Sequence, residues 1–256
     1  MRPPPYLLPT TLALLMTSAI IELSFVSSTV SWLHRTAGGS FQIVSPSNTS
    51  TLSFPLHGKP AHLLVNQGHT SNAAAGTAFI LVGLGGMATM VLLTLSRRRQ
   101  AKPNTNTNAN TAILRALHAT WLLKTLLSAL LTLTALIYTF ALTRSHAHQT
   151  LDLSLAAGLE NKPYPNQVPY PLSAWTPENW FAALLGQEDV QFVRREERDD
   201  VAAHLRVMRG WRWNLVPLFV LGVGVCGVAG WEAWAERRRG EREMLPRGGG
   251  KRVEGV

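Results

Sequence analysis

The chain has 256 residues, with 24 Lys plus Arg against 15 Asp plus Glu and one cysteine, Cys226. A single cysteine excludes an intramolecular disulfide. The net charge of +9 raises the question of nucleic acid, but the arginine clusters sit directly beside apolar runs, which points to anionic lipid headgroups and argues against nucleic-acid binding. A mean hydropathy of +0.07 would suit a soluble domain. The information lies in the distribution, because about 20 consecutive, mostly apolar residues cross ~30 Å of hydrocarbon.

Read that way, the chain is an all-α membrane protein, a bundle of four transmembrane helices with a partly helical second extramembrane loop. Residues 1–28 hold an N-terminal tail and the first span, whose core runs Leu12 to Val26 behind Pro3, Pro4, Pro5 and Pro9. Proline is tolerated in a first helical turn, so this cluster suits a helix start. A cleavable signal peptide is the rival reading; Glu22 within the run and the lack of an Ala-x-Ala site favour an uncleaved anchor. Glu22 is the one acidic residue well inside a span. An ionisable group there is costly and marks either function or pairing. Arg144 and Arg212, near the far ends of their spans, are the partners expected for it.

The first outer loop, residues 29–74, is nearly free of charge. Phe41–Val44, Leu52–Phe54 and Leu63–Val65 are short β-prone pieces between turn residues, fitting either a small sheet or an irregular loop. Asn48-Thr-Ser50 is an N-glycosylation acceptor triplet. The second span, 75–96, is rich in glycine, including Gly83 and Gly86, as helices packed closely in lipid are. Residues 97–116 form a basic loop with an Asn/Thr-rich stretch, Asn104–Thr111, that has little to bury. The third span, 117–142, is broken over Leu126–Leu142 only by Ser and Thr, whose hydroxyls can bond back to the helix, and carries Lys124 near its start.

The second outer loop, 143–212, opens with the Pro-rich 161–172 segment. Thr176-Pro177-Glu178 then reads as N-cap, N1 proline and acidic first turn. A further helix is expected over 190–208, with Val201, Leu205 and Met208 as one apolar stripe, lying on the membrane surface or capping the bundle. The fourth span, 213–234, carries Gly222, Cys226 and Gly230 as a small-residue packing face. Trp211 and Trp213 precede it and Trp231 and Trp234 close it, as interfacial belts do. Residues 235–256 make a basic, Gly-rich tail whose first turn or two extends the fourth helix, with the remainder expected to be disordered.

Basic residues are retained on the cytoplasmic side. Arg97, Arg98, Arg99, Lys102 and Arg115, with Arg237, Arg238, Arg239 and Arg242, place both termini in the cytoplasm, in the plasma membrane or a membrane of the secretory pathway. The arginines of the second outer loop oppose that assignment. Seven histidines fall outside the membrane, and His146-Ala-His148 supplies two of the three or four ligands a metal needs. No catalytic, cofactor or metal motif is found: no G-x-S-x-G, P-loop, H-E-x-x-H or suitably placed G-x-G-x-x-G.

The stretches Trp175-Thr-Pro-Glu-Asn-Trp-Phe181 and His204-Leu-Arg-Val-Met-Arg-Gly-Trp-Arg-Trp-Asn214 resemble four-span membrane proteins of filamentous fungi, over about the C-terminal 80 residues. That resemblance brings no activity with it. The layout of one span, an outer loop and three further spans is similar in topology to PalI-like and claudin-like tetraspans. Those carry a tryptophan and a cysteine pair in the first outer loop; here Trp32 is present and the cysteines are not, so the similarity implies no function. Two functions are expected from the sequence: a non-enzymatic organiser that binds other membrane proteins, or a small proton-coupled transporter or membrane enzyme using Glu22.

Overall fold

A computed structural model of the chain describes residues 4–46, 51–100, 107–165 and 174–244. Asn48, the middle of the Pro-rich segment and the tail beyond Met244 lie outside the described residues. The fold is mostly helical, with four helices long and apolar enough to cross a membrane, the mark of a multi-pass integral membrane protein.

The first is α1 (Leu7–Arg35). The second span is one helical rod in three parts: α2 (Asn66–Thr77), a π-helical segment (Ala78–Leu84) and α3 (Gly85–Gln100). The third is α4 (Thr107–Ser145). It begins inside the Asn/Thr-rich stretch read from sequence as a linker. Asn and Thr are poor helix formers, but the strongly helical 112–145 run extends back through them. Two short helices follow, α5 (Leu153–Gly158) and α6 (Pro177–Gly186). The last is α7 (Arg195–Met244), 50 residues without a break. At 1.5 Å per residue it is about 75 Å long, more than twice a hydrocarbon core.

This continuity corrects the expectation of a separate surface helix over 190–208. The stripe of Val201, Leu205 and Met208 is buried, but on the same rod that then crosses the membrane. No proline lies between the two, and Gly210 is held in helical conformation where it packs against Phe25, so nothing stops the helix. Pro217 lies inside it.

The four spans pack as a square. α1 and α4 each lie against α7 on one side and against the second span on the other. Their shared core is aliphatic and small: Leu8, Leu12, Leu15, Ala19, Ala74, Ala75, Ala78, Ala135, Leu215, Leu218, Val225 and Ala229. The outward faces carry Leu14, Ile80, Val91, Leu126, Leu130, Ile137 and Val220, all exposed. A water-soluble protein does not tolerate such a band; in lipid it is the solvated surface. Many hydroxyls in the spans return to their own helix, as with Thr132 to the Ser128 carbonyl (2.9 Å) and Thr134 to that of Leu130 (3.0 Å).

At the end of the bundle away from both termini sits a second core. Strands β1 (Ser40–Pro46), β2 (Thr51–His57) and β3 (Gln191–Phe192) form an antiparallel sheet in the order β2-β1-β3. Phe41 pairs with Leu56 and Ile43 with Phe54. The third β-prone piece forms no strand; Leu63 makes a single parallel bridge to Trp175. Trp180, wholly buried, anchors this head. It lies edge-on to Trp175 (5.1 Å) and donates its indole N–H to the Gly58 carbonyl at 2.9 Å. Gly58 is obligatory, since a Cβ there would lie 2.5 Å from the Ala37 carbonyl oxygen. α6 starts as its sequence signals require: the Thr176 hydroxyl accepts from the Asn179 N–H at 3.2 Å, and proline occupies the first turn.

Candidate functional site

α1 and α7 run antiparallel. Three contacts fix their register. Near the head, the Trp32 indole donates to Asp200 Oδ2 at 2.7 Å and stacks on His204 at 4.4 Å. One level down, Gly210 meets Phe25, whose Cζ would lie 3.1 Å from a Cβ there. Below that lies Glu22.

The Glu22 side chain is completely buried. Asn214 Nδ2 donates to Glu22 Oε2 at 2.9 Å and to the Ser18 backbone carbonyl at 3.0 Å. The Ser18 hydroxyl donates to Asn214 Oδ1 at 3.5 Å. Ser18 and Glu22 are one turn apart and share a face of α1, so one amide clamps two levels of that helix. Glu22 Oε1 is buried without a hydrogen-bond partner among the described residues. The partner expected from sequence was arginine. Instead Arg212 pairs with Glu178 of α6 at 3.2 Å, and Arg144 lies with it in a groove at the head end of the bundle. Both emerge above the depth of Glu22, so neither needs to enter the bundle.

The second span approaches α1 and α4 through its glycines. A Cβ on Gly83 would collide with Met16, within 2.9 Å of its sulfur, and one on Gly86 would lie 2.8 Å from the Trp121 ring. Trp121 also donates its indole N–H to the Val82 carbonyl at 3.0 Å. The π-helical segment ends beside this contact. A π segment shifts the backbone bonds by one residue, and its terminal carbonyls are open to a side-chain donor.

The fourth-span stripe behaves differently. Gly222 is buried and its Cβ would touch Ala129 at 3.9 Å, Cys226 is half-buried, and Gly230 is exposed with nothing within 4 Å. The packing role expected for Gly230 is therefore corrected. The buried face of α7 runs through Leu215, Leu218, Gly222, Val225 and Ala229. The i, i+4 line from Gly222 drifts off that face because 3.6 residues make a turn. The Trp pairs also divide: Trp213, Trp231 and Trp234 are exposed, whereas Trp211 is buried. Of the histidines, His146 is buried against its own helix, its Nδ1–H donating to the Leu142 carbonyl oxygen at 2.9 Å. Among the described residues, no three His, Cys, Asp or Glu converge on a possible metal position.

Sequence reasoning missed Asn214, Gly210 and Trp121. Asn214 was legible in principle, as an amide at the mouth of an apolar run is as costly to bury unpaired as a carboxyl is conspicuous. Which helix it faced was not. No family model, curated protein or solved structure matches the chain.

Proposed function

We propose that this chain is a non-enzymatic four-span organiser of other membrane components, which presents its sheet-bearing head on the side opposite its termini. One observation carries the reading. α1 and α7 run unbroken from the aliphatic core of the bundle into the aromatic core of the head, so the head is rigidly aligned with the spans. A fixed outer surface on a lipid-embedded base suits a partner-binding role.

The basic residues at 97–99, 102, 115, 237–239 and 242 argue that the end bearing both termini is cytoplasmic, where they meet anionic lipid headgroups. The outer-loop arginines count the other way, and four of them are salt-bridged within the head. Arg194 pairs with Glu197, Arg195 with Asp199, and Arg209 and Arg212 with Glu178.

The Glu22 site favours this reading over a proton-coupled transporter. Its carboxyl is engaged by an uncharged amide that also binds the Ser18 backbone, the arrangement of an interhelical clamp. Chemical crosslinking in native membranes, followed by purification in mild detergent, separates the two. The organiser reading expects the same crosslinked neighbours for the wild type and Glu22→Gln, and their loss in Trp180→Ala, where the head core is emptied. A lone monomer in the membrane, or a proton-dependent flux in liposomes abolished by Glu22→Gln, would overturn it.

A further inference from the structure

Where the head meets the bundle, the end of α4, α6 and α7 enclose an open groove of about 1110 Å³. Its floor is apolar. Phe140 and Trp213 meet edge to face at 5.2 Å, and Trp213 is exposed. An exposed tryptophan at the end of a span marks the level of the headgroups. Above the floor stand Arg144, Arg209 and Arg212, against a single acid, Glu178. Glu178 reaches Arg212 at 3.2 Å and Arg209 at 3.8 Å. One carboxylate cannot neutralise three guanidinium groups, so the groove keeps an excess of positive charge. The Arg212 guanidinium lies 5.4 Å from the Phe140 ring centroid and 5.7 Å from that of Trp213, which fixes its plane at the top of the floor.

Two polar atoms in the groove are buried and lack a hydrogen-bond partner among the described residues, the Arg212 Nε donor and the Gln149 Oε1 acceptor. Gln149 is 7% exposed. Buried polar groups are almost always paired. Here an orphan donor sits among guanidinium groups and an orphan acceptor lines the same groove.

We propose that this groove binds an anionic phospholipid of the head-side leaflet whose headgroup carries hydroxyls. The phosphate sits against Arg144, Arg209 and Arg212, a headgroup hydroxyl donates to Gln149, and an acyl chain lies over Phe140 and Trp213. Arginine suits the phosphate because its planar fork can bind two oxygens at once. The groove, open on one side, is slightly larger than the roughly 300–1,000 Å³ of enclosed ligand sites and has room for a headgroup and glycerol. The site is separate from the terminal arginine clusters, which lie at the other end of the spans.

Native mass spectrometry of the full chain in detergent tests this, with dioleoyl phosphatidylglycerol and dioleoyl phosphatidylcholine as competing probes. Phosphatidylglycerol should be retained in preference. Arg144→Gln with Arg209→Gln should weaken it about 30-fold, at roughly 1 kcal/mol per arginine near a headgroup. Arg144→Lys with Arg209→Lys should recover most of that loss, and Arg237→Gln with Arg238→Gln should leave this preference unchanged. Gln149→Leu, which alters no charge, should narrow the margin over phosphatidic acid, which lacks the hydroxyls. If the double glutamine variant fails to fold, Arg144→Gln alone gives the same reading at about a fifth of the loss. Equal retention of the two lipids, or a preference abolished by the Arg237/Arg238 variant and not by the groove variants, would overturn the assignment. So would full displacement of the lipid by millimolar inorganic phosphate, which would make the groove a small-anion site only.

Discussion

The head and the bundle are built from opposite materials. The head core is aromatic, with Trp32, Phe41, Tyr164, Trp175, Trp180 and Phe181 buried together. The bundle core is alanine, leucine and valine with one tryptophan, Trp121. The difference follows from the solvent each excludes. In water, large rings gain by leaving contact with it, and a small domain without a disulfide needs bulky side chains to fill its core. In lipid, the acyl chains are as apolar as leucine, so burying a large ring gains little. Close approach of backbones and a few hydrogen bonds hold the helices instead. α1 and α7 change composition along their own length in keeping with this: Leu8, Leu12, Leu15 and Ala19 in the bundle give way to Trp32 and Leu33 in the head.

If the comparison holds, emptying the aromatic core should damage the head far more than any single change damages the bundle. Trp180→Ala removes a wholly buried ring and its bond to Gly58, and should cost about 3–5 kcal/mol. Limited proteolysis should then cut the head loops while the four spans remain protected. Loss of spans and head together would mean that the two cores are one cooperative unit.

In the bundle the sensitive positions are the small ones. Gly86→Leu drives a side chain into the Trp121 ring and should lose about 1–3 kcal/mol in detergent-titrated unfolding. Gly230→Leu meets nothing and should stay within about 0.5 kcal/mol of wild type. Equal effects at the two sites would show that helix propensity, not packing, governs the spans. The polar clamp should matter less. A double-mutant cycle between Glu22→Leu and Asn214→Leu should give a coupling near 0.6 kcal/mol and no more than ~1.7 kcal/mol, the range for hydrogen bonds between spanning helices. A coupling of several kcal/mol would mark a charged interaction and return Glu22 to the transporter reading.

The smallest effect expected is that of pH on the head. Burial pushes the Glu178 carboxyl above its ordinary range, while the guanidinium of Arg212 and then that of Arg209 pull it back. The folded state therefore holds this proton more tightly than the unfolded chain does. Its contribution to stability is fully present below the ordinary carboxylate range and falls as pH rises through the raised value. Asp152 has the opposite sign: hydrogen bonds from the Ser154 hydroxyl and the Leu155 N–H lower it, so its contribution is lost as pH falls. Thermal melts across the carboxylate range should show a shallower decline toward neutral pH in Glu178→Gln than in wild type. An unchanged profile would mean that the arginines fully offset the burial.

Much of this arrangement was legible because lipid imposes a blunt rule. A run such as Leu126–Leu142 has no alternative to a helix when it must satisfy its own backbone in hydrocarbon. The Thr176-Pro177-Glu178 helix start was equally local, since a cap bonds within its own turn. What sequence did not give was long-range. Phe41–Val44 announces a strand but not its partner, which pairs with it from Ser40–His57 to Pro46–Thr51. The small-residue line through Gly222 and Gly230 identifies a packing motif but not the angle at which α4 crosses α7, and that angle leaves Gly230 outside. Glu22 stood out by its charge; Asn214, 192 residues away, is assigned to it only by the antiparallel register of α1 and α7.

The account turns on a fourth crossing that places the head and the terminal arginines on opposite faces of one bilayer. Cysteine accessibility tests it directly. In a Cys226→Ala background, Lys162→Cys reports on the head, and Arg98→Cys and Arg238→Cys report on the other end; all three positions are exposed. An impermeant maleimide should label the Lys162 position in intact cells or right-side-out vesicles, and the Arg98 and Arg238 positions only after permeabilisation. Labelling of all three from the same face would contradict the account.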